Sequence, residues 1–176
     1  MKPLSSADFL KYYLQYYEKI YRYLYFRAYE DEELARDLAS ETFLKAYEKC
    51  DTYDPQKKFS AWIYTVARNC LIDHFRKNPR NRETSLEEYK EDTHTGYEKM
   101  SEKVDTLLKR KQLLFYTHEL PEKFREIVLL KYFNEYENKE ITDMLNLNPN
   151  TLRVLHHRAM KMLQGIIPPH LRPNLP

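Results

Sequence analysis

Glycine is nearly absent from this chain, and its scarcity restricts the folds that the sequence can adopt. Only 2 of the 176 residues are glycine, whereas tyrosine occurs 16 times and proline 9 times. Hairpins and tight left-handed turns depend on glycine because it has no Cβ to clash with the backbone. The sequence therefore predicts an all-α protein whose helices are joined by breaks at proline and asparagine.

Apolar residues recur at helical spacing through the first block of the chain, from about residue 6 to residue 78. One stripe of the stretch 59–77, FSAWIYTVARNCLIDHFRK, is apolar and predicts the core-facing side of a helix. We expect this helix to end at Asn78, because Pro79 disfavours the helical conformation of the residue before it. The apolar stripe consists of Phe59, Ile63, Val66, Ala67, Cys70 and His74.

A second stripe of the same stretch is unusual for a helix face in contact with solvent. It places the single tryptophan of the sequence beside hydroxyl, amide and guanidinium groups. One interpretation is that Trp62 packs against the preceding helix and that the arginines are solvated. The other is that the stripe binds a partner. Its members are Trp62, Thr65, Asn69, Ile72 and Arg76.

The charge of the chain changes sign along the sequence, although the net charge is only +2. Residues 68–82 are basic, residues 83–105 carry eight acids against three lysines, and no acid follows Asp143. The acidic segment also lacks apolar periodicity, which is typical of a flexible linker. The sequence thus predicts two small helical domains at 1–78 and 106–164, a linker at 79–105, and a tail at 165–176 in which Gly165 ends the last helix.

Residues 137–163, ENKEITDMLNLNPNTLRVLHHRAMKML, have the pattern of a helix-turn-helix. After a short first helix and a three-residue turn, Asn148 can cap the second helix and Pro149 can occupy its first position. Amides, hydroxyls and arginines near a helix N-terminus can reach base edges in a major groove. A plain helical hairpin with a basic face is the alternative. The candidate DNA contacts are Asn148, Asn150, Thr151, Arg153, Val154, His157, Arg158 and Lys161.

Catalytic, metal-binding and membrane functions find little support in the sequence. Cys70 and His74 are four residues apart, so on a helix both side chains could bind one metal ion. No second pair of ligands accompanies them, and both are therefore expected to be packed in the core. No glycine-rich phosphate loop and no nucleophile–base pattern occurs, and no apolar run could span a bilayer. Two cysteines also give no disulfide framework. We therefore expect a cytoplasmic protein that is not an enzyme and uses no cofactor.

Three motifs, taken in order, resemble those of bacterial sigma factors of the extracytoplasmic-function (ECF) group. ARDLASETFLKAYEK at 35–49 resembles the polymerase-binding helix of the family. The stretch at 59–77 resembles its melting and minus-ten helix, and residues 120–163, from LPEKFREIVLL to the end of the helix-turn-helix, resemble its minus-thirty-five domain. The resemblance covers about residues 8–78 and 108–163.

The resemblance implies a sigma factor that binds core RNA polymerase and directs promoter recognition, DNA melting and transcription initiation. Asp37 and Glu41, four residues apart on one helix face, would then bind the coiled coil of the largest polymerase subunit, together with Ser40, Leu38 and Leu44. Promoter opening requires aromatic, polar and cationic groups that capture unpaired bases. That role would fall to Trp62, Thr65, Arg68, Asn69, Arg76 and Lys77. Core polymerase and promoter DNA are the implied partners, an anti-sigma factor is a further candidate, and no membrane insertion is implied.

A few departures from the family pattern leave a second function open. Leu155 and Met160 stand where the recognition helix is commonly basic, Ser40 replaces a frequent glutamine, and Glu137 and Asn146 replace the usual cap and turn residues. The alternative is a degenerate sigma-like module that binds polymerase or a regulator without initiating transcription. A free-standing DNA-binding regulator would need a dimerisation or ligand domain, for which the chain has no room.

Overall fold

The structure is a computed structural model that describes residues 6–79 and 111–169. The all-α prediction is confirmed for this part of the chain, because every element in it is helical. Nearly all of the predicted linker and residues 170–176 of the tail lie outside the described residues. The elements are α1 (Ser6–Arg27), α2 (Glu32–Glu48), a 3₁₀ turn (Cys50–Thr52), α3 (Phe59–Lys77), α4 (residues 111–118), α5 (Glu122–Val128), a π-helical turn (Leu129–Phe133), α6 (Asn138–Leu145) and α7 (Pro149–Ile166).

Helices α1, α2 and α3 pack together around a core rich in aromatic rings. Phe59, at the start of α3, stacks on Tyr12 of α1 with the ring centroids 4.1 Å apart. Tyr13 of α1 meets Phe43 of α2 edge-on at 5.0 Å. Such aromatic pairs stabilise the fold beyond the area that they bury. The predicted apolar stripe of α3 lies in this core: Phe59, Ile63, Ala67 and Cys70 are buried, and Val66 and His74 are half-buried.

The helix boundaries follow from local signals in the sequence. α2 begins at Glu32 because the Asp31 carboxylate accepts a hydrogen bond from the Leu34 N–H at 2.9 Å. α3 ends at Lys77 and is capped by Asn78, as the position of Pro79 predicted.

The end of the last helix differs from the prediction. α7 continues through Gly165 and ends at Ile166, and Gly165 does not adopt a positive φ. A helix needs no left-handed glycine to end where the next residues cannot continue it. Ile167 precedes Pro168 and has extended backbone angles, φ −70° and ψ 129°, which stop the helix one residue later than expected.

The N-terminal unit, α1–α3, and the C-terminal unit, α4–α7, pack directly against each other. α3 contacts α6, and α1 contacts the π-helical turn. Ile127, Ile141 and Met144 share one core with α1–α3, while Phe26 joins the core of the C-terminal unit. No pattern in the sequence predicted this contact between the two units. No helix in the part of the chain that the structure describes is long and apolar enough to span a bilayer.

Candidate polymerase and DNA interfaces

The exposed face of α2 carries the residues that were expected to bind polymerase, with one exception. Asp37, Ser40, Glu41 and Leu44 are exposed, and Leu44 retains 60% of its accessible surface. The prediction for Leu38 is wrong, because its side chain is only 1% exposed and packs in the core between α1 and α3. It cannot touch a partner at the surface.

Of the two carboxylates on this face, only that of Glu41 forms an ion pair among the described residues. Glu41 pairs with Lys45 at 2.6 Å, and this hydrogen bond raises the pKa of the Lys45 ammonium. The Ser40 hydroxyl donates to the Arg36 carbonyl within its own helix at 2.9 Å. Asp37 forms no ion pair among the described residues. An exposed leucine beside two exposed acids suits a partner that is basic and partly apolar.

The second stripe of α3 has both a packed and an exposed part. Trp62 is half-buried, and its ring packs against Tyr53 and Phe59 at centroid distances of 5.3 and 5.4 Å. The interpretation that Trp62 packs against the rest of the protein is therefore correct for only part of the indole ring. Thr65 and Asn69 are exposed on the same side of the helix. Their hydroxyl and amide groups lie at the surface beside the exposed part of the Trp62 ring.

The cations of α3 differ in their surroundings. Arg76 and Lys77 are exposed at the end of the helix, and Arg76 pairs with Asp73 at 3.0 Å. Arg68 is half-buried and faces the C-terminal unit, where it lines a groove together with Glu122. Of these three cations, Lys77 is exposed, Arg76 is exposed but paired with Asp73, and Arg68 is partly covered by the other unit.

The helix-turn-helix forms with the geometry that its sequence predicted. Asn146 adopts the left-handed conformation at φ 51° and ψ 48°, which asparagine tolerates better than most residues. The Asn148 side chain accepts a hydrogen bond from the Thr151 N–H at 2.8 Å and caps α7. Glu137, an unusual cap, is supported by Glu140, whose carboxylate accepts from the Glu137 N–H at 2.9 Å.

The predicted DNA-reading face of α7 is largely open to solvent. Thr151 is half-buried, and the Oδ1 atom of Asn148 is engaged as the cap, so these two side chains are less available than expected. The remaining candidates lie on one outward side of the helix. The exposed residues are Asn150, Arg153, Val154, His157, Arg158 and Lys161.

The structure has a basic cleft beside the recognition helix that was not predicted from the sequence. Lys131, Lys139 and Arg153 line a depression of about 530 Å³, and no acidic side chain lines it. His156, also at this cleft, hydrogen-bonds the Tyr132 hydroxyl at 2.8 Å. Burial, with Lys131 and His157 nearby, lowers the pKa of His156. Lysines before and within the first turn of the helix-turn-helix were the signal that could have indicated this cleft.

Comparisons with protein families agree with the two units of the structure. Residues 12–81 match sigma-70 region 2, and residues 110–163 match sigma-70 region 4. The ECF RNA polymerase sigma factor SigW of Bacillus subtilis is 30% identical over 161 residues, which cover 85% of this chain and 83% of SigW. The B. subtilis ECF sigma factor SigM is 29% identical over 154 residues, covering 88% of this chain and 91% of SigM.

Solved structures share the fold. The sigma factor RpoE of Bartonella quintana, solved with the anti-sigma factor NepR, gives a TM-score of 0.60 at 18% identity and covers 90% of this chain and 96% of RpoE. CnrH, solved with the cytosolic domain of CnrY, gives 0.62 at 17% identity, with coverage of 92% and 88%. The fold, the two matched regions and the SigW similarity together show that the chain belongs to the ECF RNA polymerase sigma factors, which direct promoter-specific transcription initiation.

Proposed function

We propose that this sigma factor engages its partners through three exposed faces on three different helices. α2 binds core RNA polymerase, α3 holds the melted minus-ten DNA, and α7 reads the minus-thirty-five duplex. The observation that carries the proposal is that most of the side chains needed for each task are exposed, and the others half-buried, on one side of each helix. The chain acts by binding in the cytoplasm and not as an enzyme.

The α2 face suits a basic coiled coil because it is acidic and exposed. Asp37 and Glu41 supply the charge, Leu44 supplies apolar area about one turn beyond Glu41, and Ser40 lies between the two acids along the helix. Charge complementarity of this kind accelerates association and fixes the register of the two partners. Buried apolar area then slows dissociation.

The α3 stripe, with Arg68 and Lys77 beside it, combines the three kinds of group that unpaired DNA requires. The exposed part of Trp62 offers a surface for base stacking, Asn69 and Thr65 offer hydrogen-bonding groups to a splayed base, and the cations bind the backbone. The cations are Arg68, Arg76 and Lys77. Because Trp62 also packs on Tyr53 and Phe59, its orientation is fixed before DNA arrives.

The α7 face suits the major groove of duplex DNA. Asn150 and Arg153 lie in the first turns of the helix, where side chains reach base edges, and Arg158 and Lys161 lie further along, where the phosphates pass. Thr151 and Asn148 hold the helix start, and Val154 and His157 complete the exposed face. An anti-sigma factor is a further proposed partner, since RpoE, which has the same fold, was solved with one.

Run-off transcription with purified core polymerase tests the function directly. We expect core polymerase plus this protein to produce defined transcripts from a subset of a duplex promoter library, and core alone to produce none of them. Capture of core without any transcript at any promoter in the library would instead support the sigma-like interaction module. The salt concentration must be fixed, because promoter affinity depends steeply on it.

Two substitutions on α7 should separate base reading from phosphate binding. Arg153→Ala is expected to cost roughly 1–3 kcal/mol of minus-thirty-five binding and to relax the preference at one base position, because it removes a bidentate base contact. Lys161→Ala should weaken all promoters alike and reduce the slope of log K against log salt by about 1. Titration of the reconstituted holoenzyme on minus-thirty-five variants at several salt concentrations measures both effects.

The matched control for this pair is Lys11→Ala, an exposed lysine of α1 in the N-terminal unit. It should change neither the base preference nor the salt slope. Identical binding by the Arg153 and Lys161 variants and the wild type would show that α6 and α7 form a structural hairpin that does not read DNA.

A further inference from the structure

A second cleft, of about 480 Å³, lies where α3 meets the end of α1 and the start of α5. A volume of this size is in the range of small-molecule pockets in proteins. Glu122 is the one acidic residue among the described residues that line it. The other charged residues of the lining are arginines, and we refer to it as the arginine cleft. They are Arg27 of α1, Arg68 and Arg76 of α3, and Arg125 of α5.

The arginines of this cleft outnumber the acids that pair with them. Arg27 and Arg125 pair with the two glutamates of α5. Arg76 pairs with Asp73 at 3.0 Å. Arg68 is half-buried and forms no ion pair with any residue that the structure describes. A partly desolvated guanidinium of this kind is stabilised by an anion that can accept two parallel hydrogen bonds, such as a phosphate.

The surroundings of Glu122 show that this part of the cleft favours negative charge. One oxygen of its carboxylate lies 2.5 Å from Arg27 Nη2, and the other lies 3.8 Å from Arg125 Nη1. Burial would raise the pKa of Glu122, but Arg27 and Arg125 outweigh burial and lower it, and Arg68 acts in the same direction. The Glu122 side chain is 44% exposed, so it can turn outward and give up its place to a stronger anion.

Arg27 has an unused hydrogen-bond donor in the same part of the cleft. Its side chain is only 6% exposed, and its Nη1 atom has no hydrogen-bond partner among the described residues. A buried donor without an acceptor costs free energy, which a bound acceptor recovers. A phosphate offers more acceptor oxygens than a carboxylate. In the place of the Glu122 carboxylate, it can therefore accept from this donor as well.

Another part of the lining is apolar and partly aromatic. Leu71, Ile72 and Phe75 line the cleft from α3, and the Phe75 ring meets the Tyr29 ring edge-on with the centroids 6.3 Å apart. Ile72 retains 40% of its accessible surface, and Phe75 is half-buried. A flat heteroaromatic ring can cover such a surface, whereas an inorganic anion makes no use of it. The ligand that fits the whole cleft is therefore anionic at one end and aromatic at the other.

The spacing of residues along α3 separates these two ends. Arg68, Ile72 and Arg76 are each four residues apart, so they lie on one side of the helix. The distance from Arg68 to Arg76 is roughly 12 Å along the helix axis, at a rise of about 1.5 Å per residue. A cleft of this length accommodates an extended molecule and is longer than a single phosphate ion.

We propose that the arginine cleft binds a nucleoside diphosphate. The phosphates displace the Glu122 carboxylate and lie against Arg27 and Arg68, while the base covers Ile72 and Phe75. This site goes beyond the proposed function, although Arg68 is also one of the cations proposed to bind melted DNA. Its tests use the free protein and need neither polymerase nor promoter. Failure of this proposal is therefore distinguishable from failure of the proposed function.

Calorimetric titration of the full-length free protein with ADP, and separately with GDP, gives the first test. We expect saturable binding at one site per chain for at least one of these nucleotides. Pyrophosphate and adenosine should each bind roughly tenfold more weakly or worse, because each fills only one part of the cleft. Absence of binding by both nucleotides, or binding of pyrophosphate as tight as that of the nucleotide, would overturn the proposal.

Two substitutions with opposite expected effects give the second test. Arg68→Ala should weaken nucleotide binding roughly tenfold, because it removes charge-assisted hydrogen bonds to the phosphates. Glu122→Gln should instead tighten binding roughly threefold or more, because the phosphates no longer displace a carboxylate from the arginines. If Glu122 only held the arginines in place, its substitution would weaken binding. The sign of the change therefore separates the two roles.

The matched control is Arg36→Ala, which removes an exposed arginine of α2 that does not line the cleft. It should leave the nucleotide affinity unchanged. Circular dichroism checks the fold of each variant, and Glu122→Asp, which withdraws the carboxylate by one methylene, repeats the test if Glu122→Gln loses helicity. Equal weakening by the Arg36 and Arg68 variants would indicate nonspecific attraction and overturn the site. Weaker binding by a folded Glu122 variant would overturn it too.

Discussion

A chain carrying Asp37→Lys and Glu41→Lys is expected to lose binding to core RNA polymerase almost completely. Both acids are exposed on α2, and in the proposed complex they face a basic coiled coil. Reversing two charges replaces attraction with repulsion, and like charges at an interface cost several kcal/mol, or roughly a hundredfold or more in affinity. Titration of labelled sigma factor with core polymerase measures the change.

The fold should survive this change. The Glu41–Lys45 pair lies on the helix surface, and losing such an exposed pair costs only roughly 0.5 kcal/mol. Circular dichroism should therefore show unchanged helicity. Asp51→Lys with Glu119→Lys alters the net charge equally at exposed positions elsewhere, and this control should bind core normally. Normal binding by the Asp37 and Glu41 variant would remove the α2 face from the polymerase interface.

Asn69→Ala is expected to impair promoter opening without affecting polymerase binding or closed-complex formation. Asn69 is exposed on α3, beside Thr65 and the half-buried Trp62. A flipped base that loses a hydrogen-bonding partner in a site shielded from water loses roughly 1–3 kcal/mol, which corresponds to roughly fivefold to a hundredfold in open complex. Permanganate reactivity of unpaired thymines and run-off yield on a duplex promoter report this loss.

A template mismatched across the start-site region provides the matched comparison for Asn69. On this template no melting is needed, so the defect should disappear unless Asn69 also selects the base. Gln56→Ala removes an exposed amide from the loop before α3 and should leave both templates unaffected. Equal activity of the Asn69 variant and the wild type on the duplex promoter would show that Asn69 is a solvated surface residue with no role in capturing a base.

Local interactions explain why the sequence predicted the helix-turn-helix so well. Asn146 adopts the left-handed turn, Asn148 caps α7, and Pro149 begins it. Each of these features depends on residues within four positions along the chain, and side-chain capping and backbone sterics act over that distance whatever the rest of the fold does. The end of α3 at Asn78 has the same origin.

On α2 the sequence did not correctly predict which residues are buried and which are exposed. Leu38 lies one residue from Asp37 and was grouped with the polymerase contacts, yet it is buried. α2 packs against both α1 and α3, so its buried side spans a wider arc than one neighbour would cover. How much of a helix is covered depends on how many partners it has, and periodicity alone does not report that number.

What the sequence by itself determined was the helical class, the positions of the breaks and the chemistry of each exposed face. What only the tertiary structure decided was that the two units pack against each other. In this contact Glu126 accepts a hydrogen bond from Tyr23, which lies 103 residues away along the chain. A charged residue within the apolar runs around Arg27 and Glu126 indicates a buried partner without identifying it. The partner is chosen by the packing of α5 against α1 and α3, because a buried charge is stable only where a complementary group is already held in place.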